Sequence, residues 1–181
     1  MARLAKGRRV ADLYAFGGGF GVLALVTGAT EAVLVDRAEP ALAAARHAAE
    51  ANDVAARCQT VKGEVFHETQ RLAEAGERFG VVIADPPAFA KSKKDLPTAL
   101  RGYRKMTRLA ASLVEPGGYL FAASCSHNVG EEEFADAIRR GLLDAGRAAR
   151  ILRSAGAGPD HPVHPALPES AYLKALVLAL D

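Results

Sequence analysis

The sequence predicts an α/β fold: a doubly wound, mostly parallel, seven-stranded sheet with helices on both faces and an antiparallel last strand. Three observations carry that prediction. Short apolar runs alternate with amphipathic stretches along the chain, the pattern of strand–helix–strand units. A glycine-rich turn, "FGGGFG", follows the first apolar run. The last two apolar runs have no helical stretch between them, so they are expected to pair antiparallel.

The elements follow in order. "RRVADLYAF" (8–16) reads as the first strand, and a helix is expected around 20–28. "EAVLVD" (31–36) is the second strand, and "EPALAAARHAAEAND" (39–53) is a helix with Pro40 near its start, where a missing N–H costs little. "CQTVKG" (58–63) is the third strand and 64–76 a helix. "FGVVIAD" (79–85) is apolar enough to be buried on both faces. The helix over 96–114 is expected to stop at Pro116-Gly117-Gly118, before the strand "YLFAAS" (119–124). Residues 130–145 form a helix with Glu131, Glu132 and Glu133 in its first turn, where the helix dipole favours anions. The strands 147–154 and 171–180 close the sheet around a Pro/His-rich loop.

Composition narrows the class. The chain has 181 residues, half of them hydrophobic and 24% charged, with two cysteines. That is one domain's worth of chain, with no disulfide framework, and it points to a reducing cytoplasm. No apolar run reaches the ~18 residues of a membrane span, so no membrane partner is expected. The net charge of +2 does not identify a nucleic-acid partner. Lys91, Lys93, Lys94, Arg101, Arg104, Lys105 and Arg108 are clustered, opposed by Asp95 alone. They read either as a solvated face or as a surface that follows phosphates.

The glycine turn is the first candidate site. Gly17 and Gly19 match G-x-G-x-x-G, but its third position is Val22. Gly17, Gly19 and Gly21 fit G-x-G-x-G better, a spacing that suits S-adenosylmethionine. Tyr14, Phe16 and Phe20 flank the turn and join the cofactor set. Asp36 ends the second strand, where a carboxylate can accept hydrogen bonds from ribose hydroxyls. Arg37 follows it, which keeps NADP open. Glu64 and Val65 follow the third strand, near where an adenine would lie.

Two further motifs fall at strand ends. Asp85-Pro86-Pro87 stiffens the exit of the fourth strand and can aim Asp85 and Phe89 into a pocket. Enzymes that methylate exocyclic amines often carry an aromatic directly after D-P-P; here Ala88 intervenes. Cys125 lies in "ASCSHN" at the end of the fifth strand, just before a helix N-terminus, a position that can lower a thiol pKa. Cys58 enters a strand with nothing reactive beside it in sequence and reads as a small hydrophobe. His127 reads as a loop residue. His161 and His164 lack the Cys pair or further ligands that a zinc site needs, so no metal is expected.

Taken together, "DPPAFAKSK", "RGYRKMTRLA", "GGYLFAASCSHNV" and "DHPVHPALPESAYLK" resemble the large-subunit ribosomal RNA cytosine-5 methyltransferases of the PUA-containing type. "DLYAFGGGFG" is similar to that family's S-adenosylmethionine loop. The resemblance runs over nearly the whole chain and implies a Rossmann-like class I methyltransferase domain over 1–181. It implies that Cys125 attacks C6 of a cytosine and that Asp85 binds the cytosine edge beside the cofactor. It further implies that Pro86, Pro87, Phe89, Lys91, Lys93, Arg101 and Tyr103 face the RNA.

Three departures stand out. Ala88 occupies the place where other RNA cytosine-5 methyltransferases carry a second cysteine. Glu64 stands where aspartate is usual. The chain starts almost at the first strand, so the family's PUA and middle domains are absent from this sequence, which reads as the catalytic piece of a longer protein. The competing readings are an exocyclic-amine RNA methyltransferase and a cofactor-binding fragment without activity of its own.

Overall fold

β4 (Phe79–Ala84) is buried along its whole length and forms the centre of the sheet. The computed structural model describes residues 2–159 and 161–181; Asp160, the first residue of D-H-P-V-x-P, lies outside the described residues. On one side of β4 run β1 (Arg9–Leu13), β2 (Glu31–Asp36) and β3 (Cys58–Lys62). On the other run β5 (Val114–Ser124), β7 (Lys174–Leu180) and β6 (Ala149–Ala155). The order is β3-β2-β1-β4-β5-β7-β6. β7 is antiparallel to both neighbours, and the other pairs are parallel. The expected doubly wound sheet is therefore present, with its antiparallel strand inserted between β5 and β6.

The helices form two layers, because each strand alternates its side chains between faces. α1 (Ala2–Ala5), α2 (Gly19–Val26) and α3 (Glu39–Ala51) cover one face. There Leu25 and Ala45 pack on Val10, Leu34 and Val81. α4 (Val65–Glu74), α5 (Leu96–Leu113) and α6 (Glu131–Asp144) cover the other. There Tyr103, Met106 and Phe134 pack on Val82, Ala84 and Leu120. Among the described residues, no helix is long and apolar enough to cross a membrane.

Several boundaries differ from the sequence expectation. β1 ends at Leu13 rather than at residue 16, because Tyr14 (φ 64°) and Phe16 (φ 47°) already turn in the left-handed region. α5 ends at Leu113, and Pro116-Gly117-Gly118 lies inside β5 rather than between helix and strand. The β4–β5 register shifts opposite this stretch, between Phe79 and Val81. Glu133 closes the start of α6 by accepting the Gly130 N–H at 2.8 Å.

Candidate active site

The chain reverses direction in the sheet between β1 and β4. In such a fold ligands bind outside the carboxyl ends of the strands at that switch. A cleft of about 870 Å³ opens there, a size that accepts a cofactor-sized molecule.

One half of the cleft is built on the glycine turn. Beneath that turn lies Asp12, a residue whose role had no signal in the motif reading. Asp12 is 1% exposed on β1, and its Oδ2 accepts the Gly21 N–H at 2.8 Å. Burial pushes its carboxyl up to about 7, against the opposing pull of that hydrogen bond. The turn tolerates little bulk. Gly18 sits at φ 79°, where a Cβ would lie 2.9 Å from Ala45 Cβ; a Cβ at Gly21 would lie 2.7 Å from Leu34 Cδ1. By contrast, a Cβ at Gly17 or Gly19 would meet nothing within 4 Å, so those positions face open space.

Asp36, at the end of β2, holds the turn's outer arm. Its Oδ2 accepts the Phe16 N–H at 2.9 Å and its Oδ1 the Ala38 N–H at 2.8 Å. Glu64 caps α4 through the His67 N–H at 2.9 Å. Asp36, Arg37, Glu64, Val65, Phe16 and Phe20 all line the cleft. Phe16 is 75% exposed, a large apolar ring left to water at the mouth. Tyr14 also lines the cleft, and its hydroxyl is buried without a hydrogen-bond partner among the described residues. An unpaired buried hydroxyl is costly unless a ligand completes it. The open glycine backbone, the Asp36 carboxylate and this hydroxyl fit an adenosyl amino acid such as S-adenosylmethionine.

The other half is built on β4 and β5. Asp85, Pro86, Pro87, Phe89 and Cys125 line the same cleft. Burial pushes the Asp85 carboxyl up, with His161 pulling the other way. The Cys125 Sγ donates to Pro86 O at 3.8 Å, which ties the thiol to the D-P-P exit. Burial raises the Cys125 thiol, and Asp85 raises it further. The nearby helix N-terminus does not decide the shift: burial and Asp85 dominate. Lys174 and the N–H groups of Cys125 and Ala88 act in the opposite sense.

The serines around Cys125 are structural. Tyr103, 0% exposed on α5, has its hydroxyl 2.8 Å from Ser124 Oγ and 2.9 Å from Ser126 Oγ. The Ala90 N–H donates to Ser126 Oγ at 3.3 Å. Tyr103 therefore supports the cysteine loop from beneath and does not face RNA, a correction to its expected place. His127 stacks on Tyr172, with ring centroids 4.3 Å apart.

The basic cluster divides. Lys91, Lys93 and Arg101 are exposed and lie outside the cleft. Arg104 is held by Asp144 at 2.6 and 2.7 Å, and Lys105 lies 4.6 Å from the Phe66 ring centroid.

Comparison with known proteins agrees with this geometry. A sequence profile of the S-adenosylmethionine-dependent methyltransferases matches residues 1–179. Ribosomal RNA large subunit methyltransferase I of Aeromonas hydrophila is 42% identical over 178 residues, covering 98% of this chain and 45% of that protein. The protein of the same name from Tolumonas auensis is 41% identical, covering 97% of this chain and 45% of its own length. The chain thus spans a little under half the length of these relatives. Among solved structures, SMU.776 complexed with SAH superposes with a TM-score of 0.84 at 25% identity, over 97% of this chain and 46% of that one. TrmN of Thermus thermophilus shares the fold, with a TM-score of 0.67 at 21% identity, over 98% of this chain and 46% of that one. With its switch-point cleft and a profile match over almost its full length, the chain belongs to the S-adenosylmethionine-dependent methyltransferase family.

Proposed function

We propose that this chain methylates C5 of a cytosine in large-subunit ribosomal RNA through a covalent adduct with Cys125. One observation carries the reading. Asp85 and Cys125, at the carboxyl ends of the adjacent parallel strands β4 and β5, open into the cleft that Asp36 and the glycine turn also serve. The relatives named as large-subunit rRNA methyltransferases support the substrate class.

S-adenosylmethionine, when bound, supplies an electrophilic methyl group. The residues would do the rest. Asp36, Tyr14 and the glycine turn bind and orient the cofactor. C5 of cytosine is a weak nucleophile, so the Cys125 thiolate first adds to C6 and splits the hard step in two. The S–C6 bond forms as the C5=C6 π electrons shift onto the ring. Asp85, held toward its protonated form by burial, gives a proton to N3 and so neutralises the charge that develops. C5 then takes the methyl group. Loss of the C5 proton to solvent reforms C5=C6 and expels the thiolate, and N3 returns its proton to Asp85. The target base has to be unpaired or flipped out of its stack to enter the cleft.

The test is methyl transfer from labelled S-adenosylmethionine to unmodified large-subunit rRNA, followed by digestion to nucleosides. Label in 5-methylcytidine, lost on Cys125→Ala, is the expected result. Label in a base methylated on its exocyclic amine, surviving Cys125→Ala, would replace this reading with amine methylation.

A further inference from the structure

β7 is the one strand among the described residues that runs against its neighbours. It therefore brings its first residue, and not its last, to the edge where the cleft opens. That residue is Lys174, paired in register with Ser124, directly before Cys125. It is only 9% exposed, and lysines are rarely this buried without an anion. No carboxylate forms an ion pair with it among the described residues. Its Nζ donates instead to two carbonyls, Ser126 O at 2.9 Å and Tyr172 O at 3.0 Å. An ammonium has three protons, so one remains for a group in the cleft, which Lys174 and Cys125 both line.

We propose that Lys174 is the counter-charge of Cys125, a positioning residue whose anchored ammonium holds the nucleophile as a thiolate. This rests on the reading of Cys125 as nucleophile. The thiol gives its proton to solvent, and the sulfur anion stays beside the ammonium. Formation of the S–C6 bond takes the negative charge off sulfur; elimination puts it back, and the same ammonium receives it. The surroundings explain why such a partner is needed. Burial disfavours the thiolate, and Asp85, at the exit of β4, does so too while its carboxyl is ionised. Burial lowers the Lys174 pKa, while Cys125 and Glu131 of α6 favour its charged form. His161 favours the ionised form of Asp85, and Tyr103 is occupied by Ser124 and Ser126. Among the described residues, Lys174 is the only cationic side chain that lowers the Cys125 thiol.

The experiment follows alkylation of Cys125 by iodoacetamide against pH in a Cys58→Ser background, with the modified peptide quantified by mass spectrometry. Lys174→Gln keeps a donor for one carbonyl, and Lys174→Met suits the buried site. Each is expected to raise the midpoint by about one pH unit or more, so that alkylation near pH 8 slows about tenfold. Lys174→Arg is expected to return most of that loss, since it restores the charge. An unmoved midpoint in a folded neutral variant would overturn the proposal. So would a raised midpoint that arginine fails to restore, and so would failure of both neutral variants to fold, which makes the lysine structural. The assay needs neither RNA nor turnover. It can therefore fail while the cytosine chemistry stands, and the reverse is equally open.

Discussion

The two cysteines sit at opposite edges of one sheet in closely matched surroundings. Both are half-buried. Burial is the largest effect on each, and raises each thiol; an aspartate adds to it and a cation opposes it. For Cys58 the pair is Asp12 and Arg46; for Cys125 it is Asp85 and Lys174. The sense of these effects is the same for both thiols; their positions differ. Cys58 begins β3, at the end of the strand away from the cleft, while Cys125 follows β5 and lines the cleft. In the proposed chemistry, reactivity is assigned by the edge of the sheet on which a side chain emerges.

The largest expected effect sharpens that contrast directly. Cys125→Ala should remove methyl transfer altogether, while Cys58→Ala should leave the rate within about twofold, since a surface-side change outside the cleft is usually near neutral. Initial rates with labelled cofactor decide it, and equal losses in the two variants would erase the distinction between the edges. Asp85→Asn comes next. Loss of a proton donor at the reacting ring should lower kcat by ~10²–10⁴-fold, with cofactor affinity nearly unchanged. A change confined to KM would make Asp85 a binding group instead.

The third prediction concerns the buried aspartate that acts on Cys58. The folded-state pKa of Asp12, about 7, lies above its usual 3.8. Its contribution to stability is therefore fully present below about pH 4 and is lost as pH rises through 7. The full shift corresponds to roughly 4 kcal/mol. Asp12→Asn should flatten the fall in Tm between pH 5 and 8 relative to the parent, read by thermal unfolding across that range. Parallel curves for the two proteins would mean that Asp12 stays ionised. The smallest effect belongs to Asp36→Ala, which should weaken S-adenosylmethionine binding by ~1–3 kcal/mol, the scale of a lost charged hydrogen bond. Calorimetry that finds an unchanged Kd would leave Asp36 with only the Phe16 and Ala38 N–H groups to hold.

The same contrast explains what the sequence could and could not reveal. The alternation of strands and helices, the glycine turn, Asp36, Asp85 and Cys125 were legible because each is a local pattern at a strand end. Lys174 was not. It meets Cys125 only because β7 inserts antiparallel between β5 and β6, a pairing set by tertiary packing. Asp12 reads as a polar break in an apolar run until the Gly21 N–H is seen above it. The resemblance implies that Tyr103 faces the RNA, but the helical period turns it inward onto the serines. Burial, which a linear sequence does not display, exceeds the nearby groups that favour the Cys125 thiolate.

The most direct test of the central claim is adduct trapping with large-subunit rRNA that carries 5-fluorocytidine, under conditions where unmodified rRNA is methylated. Fluorine in place of the C5 hydrogen blocks the last elimination, so the sulfur–C6 bond should persist. The account predicts a denaturant-stable protein–RNA complex whose crosslinked peptide contains Cys125. It predicts the same complex in Cys58→Ala and none in Cys125→Ala. A crosslink on any other residue, or turnover of the fluorinated RNA with no trapped complex, would contradict it.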